Sequence, residues 1–358
     1  MSDRLYLDHA ATTPVLPEAR EAMARALESW ANPSSPHADG RRERAALEKA
    51  RRTIADALEW RHDVILTSGA SEAIHIAASR AKPKRRIVGP AEHDAVTAAM
   101  GGGAEVLPVD GNGVIEVSAL ENMLAGEPAL VAVQLVNNET GVIQPIDRIR
   151  QAVSAAGSLL LCDCAQAAGK IALPEADFIA ISGHKFGGPP GAGALLVRDL
   201  DTLVASGGQE RGYRRGTENL PAAAAMAAAL ESRAFAEAMP RLETLRQRLE
   251  KEIRASGGLV VAAGASRIAT IGAYGLPGVA SASQLVQLDL AGISVSAGSA
   301  CSSGSMKPSR VLAAMGIAEE IASSVIRVSF GPSTSEDDVD RFLGEWRKIA
   351  GRAKARAA

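Results

Sequence analysis

The chain has little aromatic content, little cysteine and almost no net charge, and each shortage narrows its possible tasks. Phe, Trp and Tyr make up 3% of its 358 residues, too few for a platform on which nucleobases stack. Lys and Arg total 39 against 41 Asp and Glu, so neither nucleic acid nor a membrane surface is an expected partner. Three cysteines, Cys162, Cys164 and Cys301, make no disulfide framework, and each is either core packing or chemistry. No apolar run approaches membrane-spanning length, and the N-terminus, MSDRLYLDHAATTP, has no signal core. A soluble, cytoplasmic protein is expected. The GxxxxGK[ST] phosphate loop is missing too, which disfavours a generic nucleotide-binding protein.

What is present is an ordinary apolar fraction of 47%, enough for a large core. The length suits one large domain and one smaller one. Pro17 opens a helix reaching about Trp30, and a second amphipathic helix runs from about Asp39 to Glu59. Short apolar runs bounded by Gly, Ser and Asp then predict strands at Val64–Thr67, Arg86–Gly89, Glu105–Val109, Leu130–Val136, Ser158–Cys162, Phe178–Ile181 and Ala194–Val197. Their alternation with helix starts predicts an α/β fold with a mostly parallel sheet, whose ligands sit beyond the carboxyl ends of the strands. A long helical region, Leu220–Ser256, is expected to break at Pro240. After Gly257-Gly258 the texture changes. Strands are expected at Leu259–Ala262, Arg267–Tyr274 and Val325–Phe330, and helices at Ser283–Leu290, Arg310–Met315 and Glu336–Ile349. The division predicted is a large domain over 15–256 and a smaller α+β domain over 257–358, with 1–14 packed on the latter.

Chemistry gathers at the predicted strand ends. Lys185 stands in SGHKFGGPPG, just past a buried strand; it is either a surface lysine or an amine delivered to a ligand over the sheet. Asp163 ends the Ser158–Cys162 strand and either caps the next helix or pairs with a protonated ring nitrogen. A lysine and an aspartate on neighbouring strand ends are the two groups that pyridoxal phosphate needs. Thr67-Ser68-Gly69-Ala70-Ser71 runs from strand into helix, a cradle for an anion or a plain helix cap. His93 opens another helix, where it could stack on a ring and move protons. Asn137-Asn138 could bind a ring hydroxyl or a carboxylate, or shape a turn. Arg327, charged among apolar neighbours, is either a carboxylate clamp or a structural salt bridge. The stretch Ser294–Pro308, SVSAGSACSSGSMKP, carries Cys301 on what reads as a small-residue loop, where a thiol is placed for chemistry, while Cys162 and Cys164 read as packing in a core strand.

Together the motifs YLDHAATTP (6–14), NPSSPH (32–37), TSGASE (67–72), VNNETG (136–141), SGHK (182–185), GGQERGYRRGT (207–217), GSACSSGSMKP (298–308) and IRVSFG (326–331) resemble the cysteine desulfurases. These are pyridoxal-phosphate enzymes of the fold-type-I aminotransferase superfamily, and the chain is most similar to the branch that serves iron–sulfur and nitrogen-fixation cluster assembly. The resemblance implies that Lys185 takes the cofactor aldehyde and later moves the Cα proton of L-cysteine. It implies that Asp163 pairs with the pyridine nitrogen, Gln166 with the ring hydroxyl, and His93 with the ring face. Ser71, Ser182 and His184 are placed at the phosphate, Ala70 among the cofactor contacts, and Thr217 at the phosphate of a neighbouring subunit, which implies a homodimer. Asn138, also counted among the cofactor contacts, and Arg327 are placed at the substrate carboxylate. Cys301 becomes the sulfur acceptor, carrying a persulfide to an acceptor or scaffold protein, with a transient cluster contact and no resident metal. The alternative within the same superfamily is a selenocysteine lyase or another pyridoxal-phosphate lyase or aminotransferase.

Overall fold

Runs such as Ala129–Gln134 (ALVAVQ) and Phe178–Ser182 (FIAIS) are buried along their whole length, as strands covered by helices on both faces must be. In the computed structural model, which describes residues 4–29, 31–298 and 309–357, these runs share one sheet. The chain opens with a short strand, β1 (Leu5–Tyr6), then α1 (Pro17–Glu28) and α2 (Ala38–Ala57). Strands and helices alternate through β2 (Asp63–Thr67), α3 (Ala70–Arg80), β3 (Arg85–Val88), α4 (Asp94–Met100), β4 (Glu105–Val106), α5 (Val117–Met123), β5 (Ala129–Gln134), α6 (Ile146–Ala155) and β6 (Leu159–Asp163). The strands β7 (Phe178–Ser182) and β8 (Gly193–Val197) follow with no α-helix between them. The sheet has seven strands in the order β2-β8-β7-β6-β5-β3-β4. Only β8 runs against the others, so the carboxyl ends of the remaining strands meet along one edge. None of the described helices is long and apolar enough to cross a membrane.

The helical region after the sheet divides into α7 (Leu220–Glu231) and α8 (Ala234–Ala255). The break falls at Arg233, not at the expected Pro240. Arg233 takes a left-handed conformation, φ 54°, and Pro240 lies inside α8. Phe235, Ala238, Leu242 and Leu245 are buried on one face of that helix, and their burial carries it across the missing proline donor. Beyond it come β9 (Leu259–Val260), β10 (Ile271–Gly275), α9 (Ser281–Leu290), β11 (Ile293–Ser294), α10 (Arg310–Ala314), α11 (Glu319–Ala322), β12 (Val325–Ser329) and α12 (Glu336–Ala357). Here β12, β10 and β9 form an antiparallel sheet. Around it a second core gathers Leu242, Leu245, Leu249, Tyr274, Phe342 and Trp346. The helix α8 therefore gives its apolar face to this core. So does the N-terminus: Leu5 and Leu7 lie in it, and β1 pairs with β11.

One close approach shapes the edge where the ligand groups collect. A Cβ on Gly193, at the start of β8, would stand 2.4 Å from Gly69 Cα and 2.6 Å from Ile181 O. Only glycine lets β8 begin directly against the turn that leads into α3. Gly193→Ala is expected to destabilise the protein by about 3 kcal/mol through overpacking. Gly344, in the middle of α12, meets nothing within 4 Å, and Gly344→Ala is expected to stabilise by up to about 1 kcal/mol. Urea unfolding of the two variants checks both signs.

Candidate active site

Five strand ends of the large sheet, the strand β12 and the N-terminal turn at Ala10 and Ala11 enclose a cleft of about 430 Å³. From β2 and the start of α3 come Ser68, Gly69, Ala70 and Ser71; from the end of β6, Asp163 and Gln166. From β7 come Ser182, His184 and Lys185; from the β3–α4 turn, His93; from beyond β5, Asn138; and from β12, Arg327. Ten of the residues expected at the site therefore share one wall. Thr217 is exposed and does not line this cleft. Cys301 lies outside the described residues.

The walls are held by backbone and charge. One turn of 3-10 helix, Gly183–Lys185, follows β7 and turns the lysine inward. Lys185 Nζ donates to Ala10 O at 2.7 Å and Ala11 O at 2.8 Å, so a turn of the N-terminal segment closes one side of the cleft. His184 Nδ1 lies 3.2 Å from Thr12 Oγ1. Burial first, then the cations Lys185 and Lys170, lowers the His184 pKa to about 4, which leaves this ring neutral at pH 7. His93 caps α4 through Nδ1, which accepts from Ala95 N at 3.1 Å, so a neutral ring carries its proton on Nε2.

Asp163 is 8% exposed, and its Oδ1 accepts from Ala165 N at 2.9 Å. Burial raises its pKa, while the Ala165 N–H, His93 and Lys185 pull against that rise. A cation brought into the cleft beside this carboxylate would relieve the penalty. At the other end, Ser68 and Ser182 lie beside the first turn of α3, which carries Ser71 and whose free N–H groups suit an anion. Glu72 fixes that turn: its Oε2 accepts from Ser68 N at 2.6 Å, and Arg214 Nε donates to its Oε1 at 3.0 Å. A cation-seeking carboxylate, an amine and an anion cradle at opposite ends of one cleft fit the donor set that pyridoxal phosphate requires.

Of the two alternatives the sequence left open for Arg327, the structure shows the salt bridge. Its Nη2 donates to Asp8 Oδ1 at 2.8 Å and its Nη1 to Asn138 O at 2.9 Å, which is a structural anchor. It also lines the cleft, and five donors on the guanidinium leave several beyond those two bonds. Cys162 and Cys164 are fully buried, with their Sγ atoms 3.5 Å apart. Burial pushes the Cys162 thiol well up, as expected of packing cysteines.

The profile of the class-V aminotransferase family matches residues 5–342. A cysteine desulfurase of Cereibacter sphaeroides is 36% identical, over 95% of this chain and 94% of its own. An IscS-like cysteine desulfurase of Mycobacterium tuberculosis is 38% identical, over 98% of each. Among solved structures, a NifS-like protein from Rickettsia africae superposes with a TM-score of 0.87 at 28% identity, over 97% of this chain and 99% of the other. SspA in complex with cysteine superposes with a TM-score of 0.78 at 29% identity, over 92% of this chain and 100% of the other.

Several groups around the cleft escape reasoning from sequence. Asp8, Ala10 and Ala11 act through an ion pair and backbone carbonyls, for which the N-terminal motif gives no geometry. Glu92 is a buried acid next to His93. Its Oε1 accepts from Gln134 N at 3.0 Å, and its Oε2 has no hydrogen-bond partner among the described residues. Burial above all, and also Asp163, raises its pKa well above the usual range. Lys170 is 4% exposed. Burial first, and then Lys185, lowers its pKa to about 7 from 10.5. The unfolded chain thus binds more protons than the folded one between pH 7 and pH 10.5. Lys170 consequently weighs on stability most below pH 7 and less as pH rises toward its unfolded value. In cofactor-free protein, Lys170→Met is expected to raise the melting temperature by about 3 °C or more, with a larger gain at pH 6 than at pH 9. Thermal unfolding at the two pH values checks this.

Proposed function

The chain belongs to the class-V aminotransferase family, and from that premise we propose that its cleft holds pyridoxal phosphate and removes sulfur from L-cysteine. It is an enzyme of the cysteine desulfurase type. The observation that carries the reading is the meeting of Lys185, buried Asp163, His93 and the Ser68–Ser71 turn in one cleft, in a chain whose relatives bear that activity in their names.

In this reading Ser71, Ser182, His184 and the first turn of α3, at Ala70, hold the cofactor phosphate. Asp163 would hold the ring nitrogen, where a proton would meet the carboxylate's need for a cation. Gln166, Asn138 and His93 would hold the ring. Bound there, pyridoxal phosphate supplies a sink for the negative charge that develops at the substrate Cα.

Arg327, with Asn138, orients the substrate carboxylate. Its anchoring to Asp8 and to the Asn138 carbonyl supports that role, because a guanidinium already held in place loses little freedom on binding. Lys185 takes the Cα proton and can return it at a neighbouring atom; its carbonyl partners in the N-terminal turn keep the amine close to the site. His93, whose Nδ1 is taken up by Ala95 N, presents Nε2 for the later proton transfers. The Cys301 thiolate then attacks the substrate sulfur. A sulfur–sulfur bond forms, the Cβ–S bond breaks, its electron pair stays with carbon, and protonation of Cβ yields alanine. Cys301 is left as a persulfide for transfer to an acceptor or scaffold protein, for iron–sulfur cluster or other sulfur-compound synthesis. Thr217, exposed and away from this cleft, is assigned to the phosphate of a second copy, so the working unit is a homodimer.

The roles separate by mutation. Cys301→Ala is expected to keep cofactor binding but to lose both alanine and sulfide formation from L-cysteine. Lys185→Ala is expected to lower the turnover of any amino-acid substrate by about 10²- to 10⁴-fold. Alanine and sulfide assays on both variants check the assignment; a Cys301→Ala variant that matched the wild-type sulfide rate would contradict it.

A further inference from the structure

Lys170 is a buried amine with no task in the reaction above. It follows β6, four residues after Gln166, and is 4% exposed. Its Nζ lies 3.5 Å from Gln166 Oε1 and 5.0 Å from the centre of the Phe235 ring of α8. A lysine is rarely buried without a carboxylate, and among the described residues none lies within ion-pair reach. A carboxamide oxygen and an aromatic face are modest compensation, so the residue is kept there at a loss of stability.

The position of Gln166 explains that loss. Its Nε2 donates to Ala10 O at 2.9 Å, and the same carbonyl accepts from Lys185 Nζ at 2.7 Å. The protonated form of Lys170 can only donate, and a carbonyl can only accept. With Lys170 on one side and the Ala10 carbonyl on the other, the amide has one satisfied orientation: Oε1 toward Lys170 and Nε2 toward Ala10, which lines the cleft. Nε2 has two hydrogens and Ala10 O takes one, which leaves a donor on the cleft side. Flipped, the amide would set its oxygen against the Ala10 carbonyl and its N–H groups against an ammonium.

We propose that Lys170 is a positioning residue for the cofactor: it holds the Gln166 carboxamide with its N–H side on the cleft, as the donor to the ring oxygen of pyridoxal phosphate. The proposal rests on the reading that this cleft takes that cofactor. Lys170 touches neither cofactor nor substrate and acts only through Gln166.

The test is titration of cofactor-free protein with pyridoxal phosphate, following the absorption band of the bound cofactor in wild type, Lys170→Met, Gln166→Ala and the double variant. Lys170→Met is expected to raise the Kd about 5- to 30-fold, the loss of one amide hydrogen bond. It is also expected to displace the band in the same sense as Gln166→Ala. In the Gln166→Ala background it should change the Kd by no more than about 2-fold and leave the band where it is. Additive effects of the two substitutions overturn the proposal, because a merely structural lysine would act whether or not Gln166 is present. Should the methionine variant not fold, Lys170→Leu carries the same comparison. Normal wild-type binding with an unchanged Kd and band in Lys170→Met overturns this proposal alone. A wild-type protein that binds no pyridoxal phosphate overturns the cofactor reading along with it.

Discussion

Everything at the site depends on parallel pairing in the middle of the large sheet. Because β5, β6 and β7 run the same way, their polar carboxyl ends emerge together from a dry core. Asp163 pairs in register with Ala180, and five residues past Ala180 comes Lys185. A buried carboxylate and an amine thus meet over the sheet although 22 residues of chain separate them. The antiparallel β8 has a different task. It starts at Gly193, and the close backbone approach it permits at Gly69 seats the Ser68–Ser71 turn beside the lysine. Burial sets the electrostatics, since the low-dielectric walls make Asp163 call for a cation and keep His184 neutral.

The N-terminal segment joins the two cores. Leu5 and Leu7 pack in the second one. Asp8 reaches Arg327 on β12, and its Oδ2 accepts from Ser296 Oγ at 3.2 Å. Two residues on, the carbonyls of Ala10 and Ala11 hold the lysine of the first core. Thr13 N then donates to His184 O at 2.8 Å. Movement of the second core relative to the sheet would therefore be felt at Lys185 and at Arg327 together.

Much of this was legible in sequence. Short apolar runs ending in Ser, Asp or Asn gave the sheet strands to within a few residues, and the residues just past those ends form the cleft. Local patterns misled where tertiary burial decided. Pro240 reads as a breaker, but the buried face of α8 overrides it. In α6, the 3.6-residue spacing of Ile146, Ile149 and Val153, all buried, was present in the sequence yet unassigned between two stronger strand signals. The groups that escaped notice act through distance rather than type. Lys170 looks like any surface lysine until its burial is known. Asp8 and the Ala10 carbonyl lie more than 150 residues from the groups they touch, and no periodicity reports such contacts. Cys301, by contrast, is conspicuous in sequence because a thiol amid serine and glycine has no packing purpose.

The central claim is that the cleft prepares a cysteine whose sulfur passes to Cys301. The most direct measurement is a single turnover of the cofactor-loaded enzyme with L-cysteine, with the small-molecule product quantified and any protein-bound sulfur mapped by mass spectrometry. Alanine is predicted in amounts equal to persulfide on Cys301, with Cys162 and Cys164 unmodified. A keto acid without bound sulfur, or sulfur on another residue, would contradict it.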